Sequence, residues 1–262
     1  MTEVNYNDGE WPEIVIVMLT WSGPLELDIA NTRLEYTKKT IAGIKKHFIY
    51  PNYTWHIADD NSTPWYQDEI KKLMEGETYT FSDTKKGWDM NNNWNTGMKV
   101  AFERADIIAG WPDDRFLDKD FDVKSYVRLL MSYEDICYIR LSGGEPRLKE
   151  TILSRVGREW RLLGKDSTAR HVYLAFNFML HKRWIDYYGY FEDNLWPLDI
   201  AEDTVDSHFR KTAGPGIVIP VDIGLTMMPW GTRSTWEKPQ GGTFRKEPPP
   251  LDERVSMEAG NG

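Results

Sequence analysis

The sequence predicts an α/β sandwich built on a central, mostly parallel sheet. Three observations carry that expectation. Short apolar runs recur along the chain, at Ile14 to Leu19, Tyr53 to Ala58, Ile136 to Leu141 and Gly216 to Val221. Between them lie stretches whose apolar residues repeat at three and four positions, the spacing of one helix face. The first run is apolar almost without interruption, as in a strand buried on both faces of a parallel sheet. Strand and helix in alternation is the pattern of βαβ units.

Residues 1–12 read as an untethered arm, acidic and polar. After the strand Ile14 to Leu19 comes a loop, Thr20-Trp21-Ser22-Gly23-Pro24. Leu34, Thr37, Ile41, Ile44 and Phe48 then draw a helical stripe, which Pro51-Asn52 breaks. The second strand, Tyr53 to Ala58, closes in Asp59-Asp60-Asn61-Ser62-Thr63, and Pro64 opens a short helix with Asp68 and Glu69 in its early turns. Tyr79-Thr80-Phe81 is a third, short strand. Gly87 to Asn93 reads as a polar loop, and Trp94, Met98, Ala101 and Ala105 as a helix. Val123 to Met131 fits another helix, before the strand Ile136 to Leu141.

Residues 147–170 hold seven Lys/Arg against three acids, a local basic excess in an acidic protein. That stretch is either a solvated amphipathic helix or an attractor of phosphate or of an anionic acceptor. Val172 to Leu180 is strand-like. Arg183 to Tyr188 is a short helix stopped by Gly189. Glu202-Asp203 opens a helix to about Lys211, with Gly214 beyond its end. Gly216 to Val221 is the last strand. From Trp236 onward Pro, Gly and charge dominate, so 236–262 reads as a tail and 13–235 as one domain.

Composition narrows the function classes. The 262 residues are 40 % hydrophobic and 28 % charged, with a net charge of −9. Duplex nucleic acid is a poor partner for such a surface. The single cysteine, Cys137, excludes an intrachain disulfide and fits a reducing compartment. No apolar run approaches a membrane span, and no basic leader precedes the first strand. A soluble, cytoplasmic protein is expected. Neither G-x-G-x-x-G nor G-x-x-x-x-G-K-[ST] occurs, so a nucleotide would rest on aspartates and a metal rather than on a glycine-rich nest.

The candidate chemistry centres on Ala105 to Leu117, where an apolar run ends in Asp113-Asp114 and a turn. In α/β proteins ligands sit where strands end. Two carboxylates there either hold a divalent cation, and through it a diphosphate, or are solvated turn aspartates. Asp59-Asp60-Asn61-Ser62, Asn91 to Gly97 and Glu202-Asp203 complete a series of four polar clusters.

That series resembles the family 2 glycosyltransferases of the GT-A fold, over most of residues 13–222. Thr20-Trp21 is similar to the family's nucleotide-facing loop. Asp59-Asp60-Asn61-Ser62 is similar to its Asp-Asp-Gly-Ser turn, with Asn61 for Gly; both residues tolerate a left-handed backbone. Asn95-Thr96-Gly97 resembles the helix before the metal motif. Asp113-Asp114 falls at the family's Asp-x-Asp, with Pro112 in place of the first acid. Phe178 to Trp184 and Tyr188 to Asp193 resemble its acceptor-side strand and turn, and Glu202-Asp203 its base-bearing element.

The resemblance implies an inverting hexosyl- or related sugar transferase using Mn²⁺ or Mg²⁺ and a nucleoside-diphosphate sugar. Asp203 would be the general base, with Glu202 beside it. Asp114 would ligate the metal, supported by Asp113. Thr20, Trp21, Asp59, Asp60, Asn95, Trp111 and Asp113 would surround the donor, with Trp21 or Trp111 stacked on a ring. The family's late metal-binding histidine has no counterpart, because none follows His208; Trp230 and Arg233 lie in that region. The acceptor stays open among a glycan, a protein, a lipid-linked sugar and a modified base. A nucleotidyltransferase acting on a sugar phosphate and a non-catalytic nucleotide-sugar binding module are the competing readings.

Overall fold

The computed structural model describes residues 6–7, 10–22, 27–85, 90–141, 150–165, 177–191, 205 and 207–222. Glu202, Asp203, Trp230, Arg233 and the tail 236–262 lie outside the described residues. Among the described residues five helices and eleven strands follow in the order β1 Ile14–Thr20, α1 Leu27–His47, β2 Phe48–Ile49, β3 Tyr53–Asp59, α2 Pro64–Leu73, β4 Tyr79–Asp83, α3 Met90–Phe102, β5 Ile107–Pro112, β6 Phe121–Asp122, α4 Lys124–Ser132, β7 Ile136–Arg140, β8 Glu150–Arg155, β9 Arg158–Leu163, β10 Phe178–His181, α5 Arg183–Tyr188 and β11 Gly216–Pro220. A further helical turn occupies 207–211.

Nine strands form one sheet in the order β4-β3-β1-β5-β10-β7-β11-β9-β8. The first four are mutually parallel. β10 then enters antiparallel to both β5 and β7, so the sheet is parallel in its first half and mixed in its second. β1 is buried along its whole length, as its uninterrupted apolar run requires of a central strand.

Side-chain alternation along the strands divides the core into two layers. Ile14, Ile16 and Met18 face α1, α2 and α4, with Leu34, Ile41, Ile70 and Val127 packed on them. Val15, Val17 and Leu19 face α3 and α5, with Trp94, Met98 and Trp184. Each such fully buried side chain contributes about 1.5–3 kcal/mol relative to exposure. The result is the expected α/β/α sandwich. Among the described residues no helix is long and apolar enough to cross a membrane.

Three expectations are corrected. Asn91, Asn92 and Asn93 are not loop: α3 begins at Met90, and Asn93 spends its amide on the Ala58 carbonyl at 2.9 Å. The basic stretch is not a helix; its described part is the hairpin β8–β9. Val156 and Gly157 turn it with φ of 48° and 71°, the double left-handed turn that suits the twist of a two-residue hairpin. Its arginines are engaged locally, Arg155 with Asp135 at 2.8 Å and Arg158 with Ser125 and the Asp222 carbonyl. The arm is docked at its end, since Trp11 is buried and Tyr6 packs on it.

β5 meets β10 at a tight spot. A Cβ on Gly110 would lie 2.2 Å from the Phe178 ring. Only a hydrogen fits there, and any larger side chain would displace the aromatic ring that covers the strand carrying Asp113 and Asp114.

Candidate functional site

The parallel register brings the ends of four strands together. Thr20 pairs with Asp59, Leu19 with Pro112, and Asp59 with Asp83. Backbone bonds carry the order past the strand ends. Asp60 N donates to Thr20 O at 3.0 Å, Asp113 N to Leu19 O at 3.1 Å, and Thr84 N to Asp59 O at 3.0 Å. Three aspartate-bearing segments therefore converge on one edge, where open α/β sheets bind ligands.

Asp59 is the buried organiser of that edge. Its Oδ2 accepts Thr20 Oγ1 at 2.8 Å, and its Oδ1 accepts Ser62 N and Gln67 Nε2, each at 2.8 Å. Burial pushes its carboxyl above the ordinary value, while these donors pull it back. Asn61 turns the chain with φ of 57°, the left-handed conformation expected of it. Gln67 also donates to Asp83 Oδ2 at 2.9 Å. Burial raises the Asp83 carboxyl, but Lys85 and Gln67 outweigh it and hold Asp83 below the usual range. Asp60 accepts Thr84 Oγ1 at 3.0 Å.

The aspartate pair has a partner that the sequence did not single out. Arg33 of α1 donates from Nη2 to Asp113 Oδ1. Its Nη1 lies 3.8 Å from Asp114 Oδ2, and its Nε donates to the Trp21 carbonyl at 3.2 Å. One guanidinium thus ties the loop after β1 to both aspartates after β5. Thr37 Oγ1 and Tyr66 Oη each lie 3.2 Å from Asp113 Oδ2, and Thr40 donates to the Asp113 carbonyl at 2.8 Å. Burial pushes the Asp113 carboxyl up to about 6, against the pull of Arg33. Burial alone would lower the proton affinity of Arg33, but Asp113 and Asp114 raise it above its usual value. At neutral pH the pair is ionic.

The candidate residues divide by exposure. Asp114 is the outward one, with 36 % of its side chain exposed and Arg115 Nε at 3.7 Å. Trp21 is half-buried, its carbonyl on the same Arg33 guanidinium that faces Asp114. Thr20, Asp59, Asp60 and Asp113 are buried beneath. Two expectations fail on packing. Trp111 is 2 % exposed, in edge-on contact with Phe48 and donating its indole N–H to the Arg115 carbonyl, so it is core and cannot stack on a ligand. Asn95 exchanges both amide atoms with the backbone of Phe191, at 2.8 and 3.0 Å, and acts as a clamp between α3 and that segment. Asp203 and Glu202 lie outside the described residues.

Sequence reading missed Arg33, Gln67, Asp83 and Lys85. The signal for Arg33 was its spacing. Arg33, Thr37 and Thr40 repeat at four and three on the buried face of α1, where polar residues need partners.

Among the described residues no three His, Cys, Asp or Glu gather into a metal cage. A hard cation can nevertheless be held by one carboxylate together with substrate phosphates. Asp114 fits that arrangement; Asp113, spent on Arg33, Thr37 and Tyr66, stands behind it.

Two buried histidines set an acid limit on the fold. His56 bridges Thr80 and Ser82 of β4 at 2.8 and 3.0 Å, and His181 meets Arg183 Nη1 at 2.8 Å. Burial first, then the neighbouring Arg104 and Arg183 respectively, hold both at about 4 against the ordinary 6.5. Below pH 6.5 the unfolded chain takes up protons that the folded chain refuses. Their contribution is complete above pH 6.5 and is lost as pH falls toward 4, by about 2–3 kcal/mol per histidine. Asp113 and Asp59, whose values are raised, act in the opposite sense over part of that window, so the histidine share is read from the difference between wild type and a histidine variant. Urea melts at pH 7.5 and 4.5 check this. His56→Gln is expected to shrink the difference substantially, and an unchanged difference would refute the assignment.

No protein-family model matches this chain, and no curated protein does. Solved structures do. Residues covering 79 % of the chain superpose on 60 % of Staphylococcus aureus TarS 1-349 with a TM-score of 0.54 at 13 % identity. The mannosyltransferase PcManGT from Pyrobaculum calidifontis, solved with GDP-Man and Mn²⁺, gives 0.56 at 11 % identity over 84 % of this chain and 58 % of its own. GalNAc-T7, solved with UDP, GalNAc and Mn²⁺, gives 0.52 at 10 % identity over 81 % and 43 %. The chain thus spans no more than about three fifths of these proteins' lengths. What is shared at such identities is architecture: the chain has the GT-A-like fold of these glycosyltransferases.

Proposed function

We propose that this chain is an inverting glycosyltransferase that moves a sugar from a nucleoside-diphosphate sugar to an acceptor hydroxyl. The observation that supports it best is the shared edge of β1, β3 and β5. There Asp59 and Asp60 stand level with Asp113 and Asp114 across the end of β1, on the fold of known glycosyltransferases. Trp21 faces the nucleoside, with Thr20, Asp59 and Asp60 beneath it fixing its loop. Asp114 holds the divalent cation, Mn²⁺ or Mg²⁺, which when bound offsets negative charge on the departing diphosphate. Asp113 and Arg33 keep Asp114 in place.

In the transfer step the acceptor oxygen forms a bond to the anomeric carbon. The bond from that carbon to the diphosphate oxygen breaks, and the nucleoside diphosphate leaves with the electron pair. Asp203 takes the proton of the acceptor hydroxyl, with Glu202 next to it in sequence. The transition state carries oxocarbenium character, as in glycoside hydrolysis. The buried, lone Cys137 suits the cytoplasm as the site of action.

Thermal-shift screening against UDP-, GDP-, dTDP- and CMP-sugars, with and without Mn²⁺, tests the reading. One donor is expected to raise the melting temperature, more so with Mn²⁺. Asp114→Ala is expected to abolish the metal-dependent part and leave the metal-free shift. A panel without any shift would reject the proposal.

A further inference from the structure

The start of β10 carries a side chain that the fold leaves unanswered. Asn177 is 0 % exposed, and among the described residues neither its Nδ2 nor its Oδ1 has a hydrogen-bond partner. A buried carboxamide with nothing to bond carries its full desolvation cost, and buried polar groups in folded proteins almost always find partners. Other carboxamides are met in full, Asn95 at both ends and Gln67 three times over, or in part, as Asn93 is through its Nδ2; Asn177 has both atoms unmet among the described residues.

Its position is fixed. Phe178 pairs with Gly110 of β5 and with Arg140 of β7, and the Asn177 carbonyl accepts Leu141 N at 2.9 Å. Asn177 therefore stands one residue past the pairing, level with Trp111 and Leu141. That is the strand-end edge beyond which Asp113 and Asp114 follow, one strand across and two and three residues further along the chain than Trp111.

The strand order gives that place a meaning. Along the edge run β4, β3, β1, β5 and β10. On the proposed function, the nucleoside lies over β3 and β1 and the diphosphate over the end of β5. The next strand along is β10, where the transferred sugar must follow. A sugar hydroxyl both gives and takes a hydrogen bond, and a carboxamide with both atoms unmet answers it in kind.

We infer that Asn177 is a donor-recognition residue whose carboxamide binds a hydroxyl of the sugar being transferred. The assignment rests on the glycosyltransferase reading above. Asn177→Leu keeps the number and branching of the side-chain heavy atoms, in a somewhat larger side chain, and removes the orphaned polar atoms. It is expected to hold or raise the melting temperature and to leave affinity for the free nucleoside diphosphate unchanged. Affinity for the best nucleotide sugar of the panel is expected to fall about 10- to 100-fold. Deoxy analogues of that sugar supply a second measurement on the unaltered protein. One of them is expected to bind wild type about as weakly as the parent sugar binds the variant, and the variant to treat both alike. A lowered melting temperature with unchanged sugar affinity would overturn the assignment and give Asn177 to a resident water. Absence of any nucleotide binding by wild type would instead overturn the reading beneath it, and this assignment with it.

Discussion

Arg33→Met is expected to destabilise the protein by about 3–5 kcal/mol, because it strands the buried Asp113 carboxylate without its charge partner. For a domain of this size that is a fall in melting temperature of roughly 10 °C. The guanidinium also holds the Trp21 carbonyl and faces Asp114, so donor affinity is expected to go with it. The two effects separate in the double variant Arg33→Met, Asp113→Leu. Replacing both members of a buried pair by apolar groups is often neutral or favourable, so stability should return while donor binding does not. Recovery of both would mean that the pair serves packing alone. Arg33→Lys is a sharper probe, since an ammonium cannot span three acceptors in a plane as a guanidinium does. It is expected to retain part of the stability and to loosen the loop after β1.

Asp203→Asn is expected to leave donor affinity intact and to reduce transfer roughly a hundred- to ten-thousand-fold, the range for removing a positioned general base. The residue lies outside the described part of the chain, so its role comes from the resemblance of Glu202-Asp203-Thr204 to the family's base-bearing element. Calorimetry on the variant checks the first half and product formation the second. Loss of binding together with loss of rate would make Asp203 a donor-site residue instead of the base.

Much of the architecture was written in local pattern. The six apolar residues from Ile14 to Leu19 read as a strand buried on both faces and form one, and Gly189 ends α5 with φ of 77° as a stop residue should. What local pattern concealed was pairing between distant segments. Nothing near Phe178 announces that β10 inserts antiparallel between β5 and β7, which turns a parallel sheet into a mixed one. The hairpin β8–β9 hid behind its arginines, whose charge suggested a solvated helix or a phosphate trap although their partners are Asp135, Ser125 and a backbone carbonyl.

The site divides the same way. Asp59, Asp60, Asp113 and Asp114 were legible because strand-end acids are the common currency of α/β edges. Arg33 was not, because its partner Asp113 is eighty positions away and its neighbours in α1 read as an ordinary stripe. Trp111 was misjudged for a related reason: a tryptophan at a strand end looks available until Phe48 and Arg115 close over it.

The most direct test of the central claim is release of nucleoside diphosphate from the nucleotide-sugar panel with Mn²⁺, followed for wild type and Asp203→Asn side by side. Wild type is expected to release nucleoside diphosphate from one donor, with the sugar inverted at its anomeric carbon, and Asp203→Asn to bind that donor without releasing it. Tight binding with no turnover by wild type, or release of pyrophosphate from a nucleoside triphosphate and a sugar phosphate, would contradict it.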